Sequence, residues 1–372
     1  NANPVTAIIG PRQSGKSTLA KKIIAERQSI YLDLERPSDL QKLEDPEWFL
    51  TSQKGKLICL DEIQRKPDIF PLIRSLVDEW GGYGHFLVLG SASRDLLRQS
   101  SESLAGRIGY KALNPLTWDE IKLSYSIEDY LVRGGFPRSL LANNLKSSLE
   151  WREDFTMTFL ERDLLQWAGF STKTMRNLWQ MLAHLNGQVI NYSKISKSLN
   201  VSNVTIKNYV NLLESTFMVS LLPPYLKNTG KRIVKNPKLY LTDTGISNAL
   251  LRIHDFDQLS GHPGIGSTWE TLVLTNLKSH FPELDYSFYR TSNGAEIDII
   301  IEYGLKRIVV ECKASPAPAL TKGNYIAITD INPVKSFVVA PIQSGWPLKP
   351  NIEIVSISQL IQQLKDFFLI KE

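Results

Sequence analysis

The sequence predicts an α/β protein of several domains. At 372 residues the chain exceeds what one hydrophobic core usually holds, and its length favours two or three domains. Apolar runs at residues 5–9, 29–34, 56–63 and 85–93 read as buried strands, and a helix is expected at residues 19–25. Buried strands that alternate with helices predict an α/β fold.

Composition and charge are those of an ordinary globular protein. Hydrophobic residues make up 42% of the chain and charged residues 22%, which is too apolar for disorder. The net charge of +5 permits a polyanionic partner such as DNA without requiring one. The chain starts without Met, almost at its first strand, so we expect that the natural N-terminus is missing.

Cysteine usage and hydropathy predict the compartment. Cys59 and Cys312 lie inside apolar runs, so we expect reduced core thiols rather than a disulfide. No apolar run approaches the roughly 18 residues that cross a bilayer. We therefore expect a cytoplasmic protein without a membrane partner.

A glycine-flanked loop that ends in Lys-Ser follows the first predicted strand. Gly10 and Gly15 let the backbone curl so that successive N–H groups point inward, as in phosphate-binding loops. Lys16 is expected to reach the β- and γ-phosphates of ATP, and the Ser17 hydroxyl is placed to hold Mg²⁺. ATP and Mg²⁺ are thus the expected cofactors. The predicted nucleotide-binding residues are Gly10, Pro11, Arg12, Gln13, Ser14, Gly15, Lys16, Ser17 and Thr18.

Two adjacent acids end the apolar run at residues 56–63. In the Walker B interpretation, Asp61 holds Mg²⁺ and Glu62 polarises the water that attacks ATP. Paired acids after a strand are often only a solvated turn, but the phosphate-binding loop upstream favours the catalytic interpretation.

Two further residues are candidates for ATP hydrolysis. Ser91 ends the strand at residues 85–93, where a polar residue would sense the γ-phosphate, although a helix N-cap explains it almost as well. Arg107 is a candidate for an arginine supplied in trans to a neighbouring subunit, against the alternative of a surface arginine. The trans role would require a homo-oligomer.

Motifs spread over most of the chain resemble one family. They are the stretch from Gly10 to Thr18, Asp61-Glu62-Ile63-Gln64, Gly90-Ser91, Leu104-Ala105-Gly106-Arg107, Leu116-Thr117, Gly134-Gly135-Phe136-Pro137 and Glu161-Arg162-Asp163. Together they resemble the prokaryotic AAA+-type ATPases that carry a C-terminal domain of unknown function. The resemblance implies a P-loop AAA+-type nucleotide domain, an internal winged-helix segment and a restriction-endonuclease-like α/β domain.

Two short helices across a tight turn are expected at residues 192–199 and 202–213. With the strand-like residues 217–222 and a hairpin at 231–241, they make a winged helix-turn-helix. Lysine and arginine side chains on such a segment can pair with DNA phosphates, although winged helices also serve as protein-docking or lid modules. The candidate DNA-contacting residues are Lys194, Lys197, Asn203, Thr205, Lys207, Asn208, Lys231 and Arg232, with Lys227, Lys235 and Lys238 as further exposed bases.

The C-terminal third contains a candidate nuclease site. Asp298 and Glu311 fall at the ends of two predicted hairpin strands, where two carboxylates can share a divalent metal. Lys313 points to the same strand face as Glu311, and Glu270 on the preceding helix is placed like the auxiliary acid of PD-(D/E)xK nucleases. The alternative is an ion-pair network without catalysis.

The predicted organisation is a nucleotide domain at residues 1–140, a helical and winged-helix segment at 141–250 and a nuclease-like domain at 251–372. The function that this organisation favours is an ATP hydrolase that binds and remodels or processes DNA, and its nuclease-like domain either cuts or only grips. The alternative is a nucleotide-controlled switch that binds a protein partner, with an inactive nuclease-like domain. A small-molecule kinase is disfavoured, because Asp61 and Glu62 suit attack by water.

Overall fold

A computed structural model describes residues 3–91, 103–160, 171–226 and 233–368. The chain divides into two compact units. The first comprises Asn1–Pro115 with Ser215–Phe217, and the second comprises Leu116–Glu214 with Met218–Glu372. Within the described residues, no helix has both the length and the apolar character needed to cross a membrane.

The first unit is a five-stranded sheet in the order β2-β3-β4-β1-β5, and all four pairings are parallel. This confirms the predicted α/β fold of the N-terminal part. Because the strands are parallel, their carboxyl ends lie at one edge of the sheet, where ligands bind in such folds. The strands are β1 (Val5–Gly10), β2 (Ser29–Asp33), β3 (Leu57–Asp61), β4 (Phe86–Ser91) and β5 (Ile108–Ala112).

Helices pack on this sheet through apolar stripes. The longest described helix of the unit buries Phe70, Ile73, Leu76 and Val77, three or four residues apart, in one core with strand residues such as Phe86. The first helix starts at Lys16, earlier than the predicted residue 19, because Gly15 is its N-cap. The helices are α1 (Lys16–Ala25), α2 (Pro37–Gln41), α3 (Pro46–Ser52) and α4 (Phe70–Trp80).

The second unit begins with helices and a small antiparallel sheet in the order β6-β8-β7. The described helices up to residue 260 are α5 (Trp118–Ile121), α6 (Ile127–Arg133), α7 (Pro137–Leu140), α8 (Leu145–Thr158), α9 (Thr172–His184), α10 (Tyr192–Leu199), α11 (Asn203–Ser215), α12 (Thr244–Leu251) and α13 (Phe256–Ser260). The strands are β6 (Gln188–Val189), β7 (Val219–Leu222) and β8 (Lys238–Leu241).

A six-stranded mixed sheet forms the rest of this unit, in the order β13-β14-β12-β11-β10-β9. Its strands are β9 (Asp285–Arg290), β10 (Glu296–Tyr303), β11 (Lys306–Cys312), β12 (Lys335–Val339), β13 (Trp346–Lys349) and β14 (Ile352–Val355). Residues of α14 (Ile265–His280) and α16 (Ile357–Phe368) share one core with Ile299 and Val310. Residues of α15 (Lys322–Ile331) share another with Ile300 and Val309. Neighbouring residues of one strand thus face opposite cores, so helices cover both faces of this sheet.

The boundary of the first unit differs from the predicted boundary at residue 140. Residues 116–140 belong to the second unit, because Leu116 N donates to Gly135 O at 2.8 Å and Trp118 N donates to Asn276 Oδ1 at 2.7 Å. The rest of the three-domain division stays a prediction. Among the motif residues, Glu161, Arg162 and Asp163 lie outside the described residues.

The Gly134-Gly135 motif is part of a buried polar cluster of the second unit. Asp243 accepts hydrogen bonds from Gly135 N at 2.7 Å and Ile246 N at 2.9 Å. Gly134 has φ +74°, and a Cβ there would lie 2.2 Å from Asp243 Oδ1. Only glycine fits at this position, because both the backbone conformation and the space exclude a side chain.

Candidate functional sites

The phosphate-binding loop joins the carboxyl end of β1 to the start of α1. A Cβ at Gly10 would lie 2.2 Å from Leu113 O, so the backbone of β1 passes directly against the segment that follows β5. Gly15 has φ +101°, a conformation that favours glycine. Glycine is thus favoured at Gly10 by the lack of space for a side chain, and at Gly15 by the backbone conformation.

Lys16 lies inside this loop and is only 7% exposed. Its ammonium donates hydrogen bonds to Gly10 O at 3.0 Å and Pro11 O at 2.7 Å. Burial lowers the pKa of Lys16 to about 8, although Glu62 and Asp61 act in the opposite direction. Among the described residues, the Lys16 ammonium thus donates to two carbonyl oxygens, and an anionic phosphate would be a stronger partner.

The loop fits a nucleotide phosphate by a second criterion. Ser14 Oγ is buried and makes no hydrogen bond to any described residue. A buried hydroxyl without a partner costs free energy, which a phosphate oxygen at the loop would recover. The helix dipole of α1 favours negative charge at the same end.

Asp61 and Glu62 lie at the same sheet edge, at the end of β3. Asp61 is buried, and its carboxylate accepts hydrogen bonds from Glu62 N at 2.9 Å and from the Tyr31 hydroxyl. Glu62 adopts a left-handed backbone conformation, with φ 55°, and its carboxylate accepts a hydrogen bond from the Gln64 amide. Burial raises the pKa of Glu62 above the usual range, which makes its carboxylate a stronger base.

The oxygen donors of this edge suit Mg²⁺. Asp61 supplies a carboxylate and Ser17, in the first turn of α1, supplies a hydroxyl. Mg²⁺ in nucleotide sites takes one or two protein oxygens and completes its shell with phosphate and water. The residues present therefore fit the ion.

Tyr31 is a member of this site that the sequence did not reveal. It lies on β2, which pairs in parallel with β3, and its hydroxyl reaches Asp61. The contact exists because the two strands are neighbours in the sheet, and no local sequence motif predicts the order of strands in a sheet.

The two remaining hydrolysis candidates lie at opposite edges of the sheet. Ser91 ends β4 directly beside Gly10 in the register, but its side chain lies outside what the structure describes. Arg107 precedes β5, and its carbonyl accepts from Val5 N at 3.1 Å, which places it at the amino edge, away from the loop of its own chain. Its guanidinium donates to Asp78 Oδ2 at 2.9 Å and to Ala105 O at 3.0 Å.

Two of the candidate DNA-contacting residues make hydrogen bonds within the helix-turn-helix. Asn203 accepts from Ser196 Oγ at 2.6 Å and donates to Ser193 Oγ at 3.3 Å, so it ties α11 to α10. The Thr205 backbone N–H donates to Ser202 Oγ at 3.0 Å, and the two hydroxyls are 2.8 Å apart. These contacts fix the turn between the helices.

The other described candidates for DNA contact have exposed side chains on the two helices. Lys194, Lys197, Lys207 and Asn208 are exposed, and the Lys207 ammonium lies 5.6 Å from the centre of the Tyr192 ring. Asn200, between the helices, takes the left-handed conformation that ends α10. The candidates Lys231 and Arg232 lie outside the described residues.

The C-terminal acids converge on a lysine. Lys238, at the start of β8, is 2% exposed, whereas the sequence predicted an exposed base; this expectation was wrong, because the side chain points into a cluster of carboxylates. Its ammonium is 3.0 Å from Glu270, 2.9 Å from Glu296 and 3.1 Å from Asp298. Glu296, two residues before Asp298 on β10, is a member of this cluster that the sequence did not reveal.

Burial and like charge perturb the acids of this cluster. Burial, and next the charge of Asp298, raise the pKa of Glu270 to about 7, against the effect of Lys238. The same two causes raise the pKa of Glu311 to about 8. Glu311 pairs with Lys313 at 2.7 Å, as the shared strand face predicted.

The cluster as arranged fits an ammonium and not a divalent metal. Lys238 lies within hydrogen-bond distance of two of the three predicted ligands, Glu270 and Asp298. Within the described ranges, no group of three or more His, Cys, Asp or Glu residues has the arrangement of a metal site. No catalytic step through a metal is therefore derived for this cluster.

Three protein families match consecutive parts of the chain. A family described as an AAA domain matches residues 2–122. The descriptions of the other two are Domain of unknown function (DUF8612), at residues 124–257, and Domain of unknown function (DUF4143), at residues 265–360.

Two relatives align with large parts of this chain. An uncharacterized protein of Mycobacterium tuberculosis is 36% identical over 359 residues, which cover 96% of this chain and 81% of the relative. The chain belongs to the same family as this relative, and its residues 2–122 match the AAA domain. A more distant member, an uncharacterized protein of Haemophilus influenzae, is 26% identical over 65% of this chain and 68% of its own length.

Solved structures with some likeness to this chain include an ATPase and a branch migration motor. A Walker-type ATPase of Pyrococcus abyssi is 15% identical, with a TM-score of 0.46, and the match covers 67% of this chain and 91% of that one. The RuvB Holliday junction branch migration motor of Thermotoga maritima is 17% identical, with a TM-score of 0.29, covering 60% of this chain and 83% of that one.

Tyr31→Phe tests the role of the added residue at the nucleotide site. The change removes the hydroxyl that donates a hydrogen bond to Asp61. Loss of such a contact to a metal ligand typically lowers the affinity for the metal about 10-fold or more. We expect the Mg²⁺ concentration for half-maximal ATP hydrolysis to rise about 10-fold, as measured by phosphate release.

Tyr83→Phe, an exposed tyrosine of the same unit, is the matched control and is expected to leave the Mg²⁺ dependence unchanged. An unaltered Mg²⁺ dependence in Tyr31→Phe would show that Asp61 does not need this partner.

Proposed function

We propose that the protein hydrolyses ATP and uses the cycle to act on DNA bound by its second unit. The observation that carries the proposal is the gathering of Lys16, Ser17, Asp61 and Glu62 at one edge of a parallel sheet. The family relation supports ATP hydrolysis. The exposed lysines of α10 and α11 support DNA as a binding partner.

The hydrolysis step follows from the residues at the sheet edge. Loop N–H groups and the Lys16 ammonium would bind the phosphates, and the two carbonyl contacts of Lys16 would be exchanged for phosphate oxygens. Ser17 and Asp61 would hold Mg²⁺, which neutralises charge that develops on the phosphates. Glu62 would polarise the attacking water, and its raised pKa favours this role.

The DNA part of the proposal depends on the helix-turn-helix. In winged-helix proteins the second helix enters the major groove, while neighbouring basic side chains contact the DNA phosphates. Lys194, Lys197 and Lys207 are exposed on these two helices and suit phosphate contacts. Asn203 is held by serines of α10, so we assign it to holding the helices together rather than to contacting bases.

The salt dependence of DNA affinity tests this part. Each lysine that contacts a phosphate contributes about 0.9 to the slope of log affinity against log salt concentration. Lys194→Ala, Lys197→Ala and Lys207→Ala are each expected to lower the slope by about that amount for any duplex sequence, measured by fluorescence anisotropy.

Lys146→Ala, an exposed lysine on α8, is the control and is expected to leave the slope unchanged. Loss of affinity without a change in slope, or no DNA binding by the wild type, would contradict the assignment.

A second candidate function is a nucleotide-controlled switch that binds a protein partner. The specific observation in its favour is the neutralisation of the C-terminal acids by Lys238, which fits a structural domain. Absence of DNA binding by the wild type, with ATP turnover intact, would favour this second candidate.

Arg107 would serve a neighbouring copy of the chain. It lies at the amino edge of its own sheet, so only the loop of another subunit is open to it, and its exposed pair with Asp78 would have to open. An arginine that acts in trans can contribute 10³-fold or more in rate, so Arg107→Ala is expected to lose nearly all ATP hydrolysis.

Mixing Arg107→Ala with Lys16→Ala is expected to restore part of the activity, because mixed oligomers contain interfaces with both residues intact. Arg74→Ala, an exposed arginine on the helix that carries Asp78, is the control and is expected to keep full activity. Full activity of Arg107→Ala at every dilution would overturn the trans role.

A further inference from the structure

Lys238 occupies the centre of the C-terminal acidic cluster. It comes from β8 of the small sheet, whereas its partners Glu296 and Asp298 come from β10 of the large sheet and Glu270 from α14. The ammonium also lies 5.5 Å from the centre of the Phe288 ring. Three carboxylates and an aromatic face thus enclose one buried cation.

The charges of the cluster make this cation necessary. A buried carboxylate is strongly destabilised unless a positive charge or several hydrogen-bond donors compensate it. Asp298 has one further described partner, Cys312 N at 3.0 Å, and Glu270 has the Tyr240 hydroxyl. Neither of these donors carries a charge, so the ammonium is their common counter-ion.

A divalent metal and the Lys238 ammonium would compete for the same oxygens. The ammonium binds one oxygen each of Glu270 and Asp298, and a divalent ion bound to them would lie within a few ångströms of it. Two like charges at that distance in a poorly solvated site repel strongly. Metal binding would therefore require that the lysine leave or lose its charge.

One atom of the cluster is free for a further ligand. Glu311 Oε1 pairs with Lys313, but Oε2 is buried and accepts no hydrogen bond from the described residues. Without the lysine charge, Glu270 and Asp298 would offer the carboxylate oxygens that hard divalent cations prefer.

We propose that Lys238 is a built-in cation that closes this acidic cluster to divalent metal ions. The ammonium then withholds the carboxylate oxygens of Glu270 and Asp298 from a divalent ion. The inference concerns the second unit alone and does not depend on the proposed ATP cycle.

Binding of Mn²⁺ without nucleotide tests the proposal. All proteins carry Asp61→Asn, so that the nucleotide site does not contribute, and free Mn²⁺ is measured by electron paramagnetic resonance. Lys238→Met keeps an unbranched side chain, one atom shorter, and removes its charge. We expect it to bind one Mn²⁺ at least about 10-fold more tightly than the parent, since a like charge is gone. Adding Asp298→Asn is expected to abolish the gain.

Lys278→Met is the matched control, because Lys278 is also largely removed from solvent but donates to the Ser220 hydroxyl and not to a carboxylate. It is expected to bind Mn²⁺ as weakly as the parent. A folded Lys238→Met, shown by an unchanged circular dichroism spectrum, that gains no Mn²⁺ binding would overturn the proposal.

The parent protein gives a second test that does not need Lys238→Met to fold. Closure by the lysine predicts that the parent and its Asp298→Asn variant bind Mn²⁺ equally weakly. A Mn²⁺ site in the parent that Asp298→Asn removes would show that the lysine does not close the cluster, and would overturn the proposal by itself.

Discussion

The nucleotide site depends on the contact between Gly10 and the Leu113 carbonyl. No side chain fits at Gly10, because its Cβ would lie 2.2 Å from that oxygen. The contact holds the end of β1 against the segment after β5, while parallel pairing puts Ser91 of β4 on the other side. The loop thus starts from a fixed point on the sheet, and parallel pairing brings the end of β3, with its two acids, to the same edge.

Buried charge organises the second unit in a comparable way. Lys238 is compensated by three carboxylates, and the fully buried Arg152 donates to Val132 O and Gly245 O. Asp243 is compensated by backbone N–H groups at Gly135 and Ile246. Loss of one partner from such a group is costly, because it leaves a buried charge without compensation.

Local motifs were the parts of the structure that the sequence could predict. The loop from Gly10 to Lys16 and the acids after β3 are each encoded within a few residues of one strand. Contacts between distant residues could not be predicted: Tyr31 and Asp61 are 30 residues apart, and Lys238 lies 60 residues before Asp298. A lysine in a basic stretch gives no local sign of burial, because only the pairing of distant elements places it among acids.

Steady-state ATP hydrolysis at increasing concentrations of duplex DNA tests the central claim most directly. The wild type is compared with a variant in which Lys194, Lys197 and Lys207 are all alanine, and Glu62→Gln supplies the background rate. The account predicts that DNA raises the wild-type rate several-fold and leaves the rate of the triple variant near its DNA-free value. A wild-type rate that DNA does not change, although DNA binds, would contradict the account.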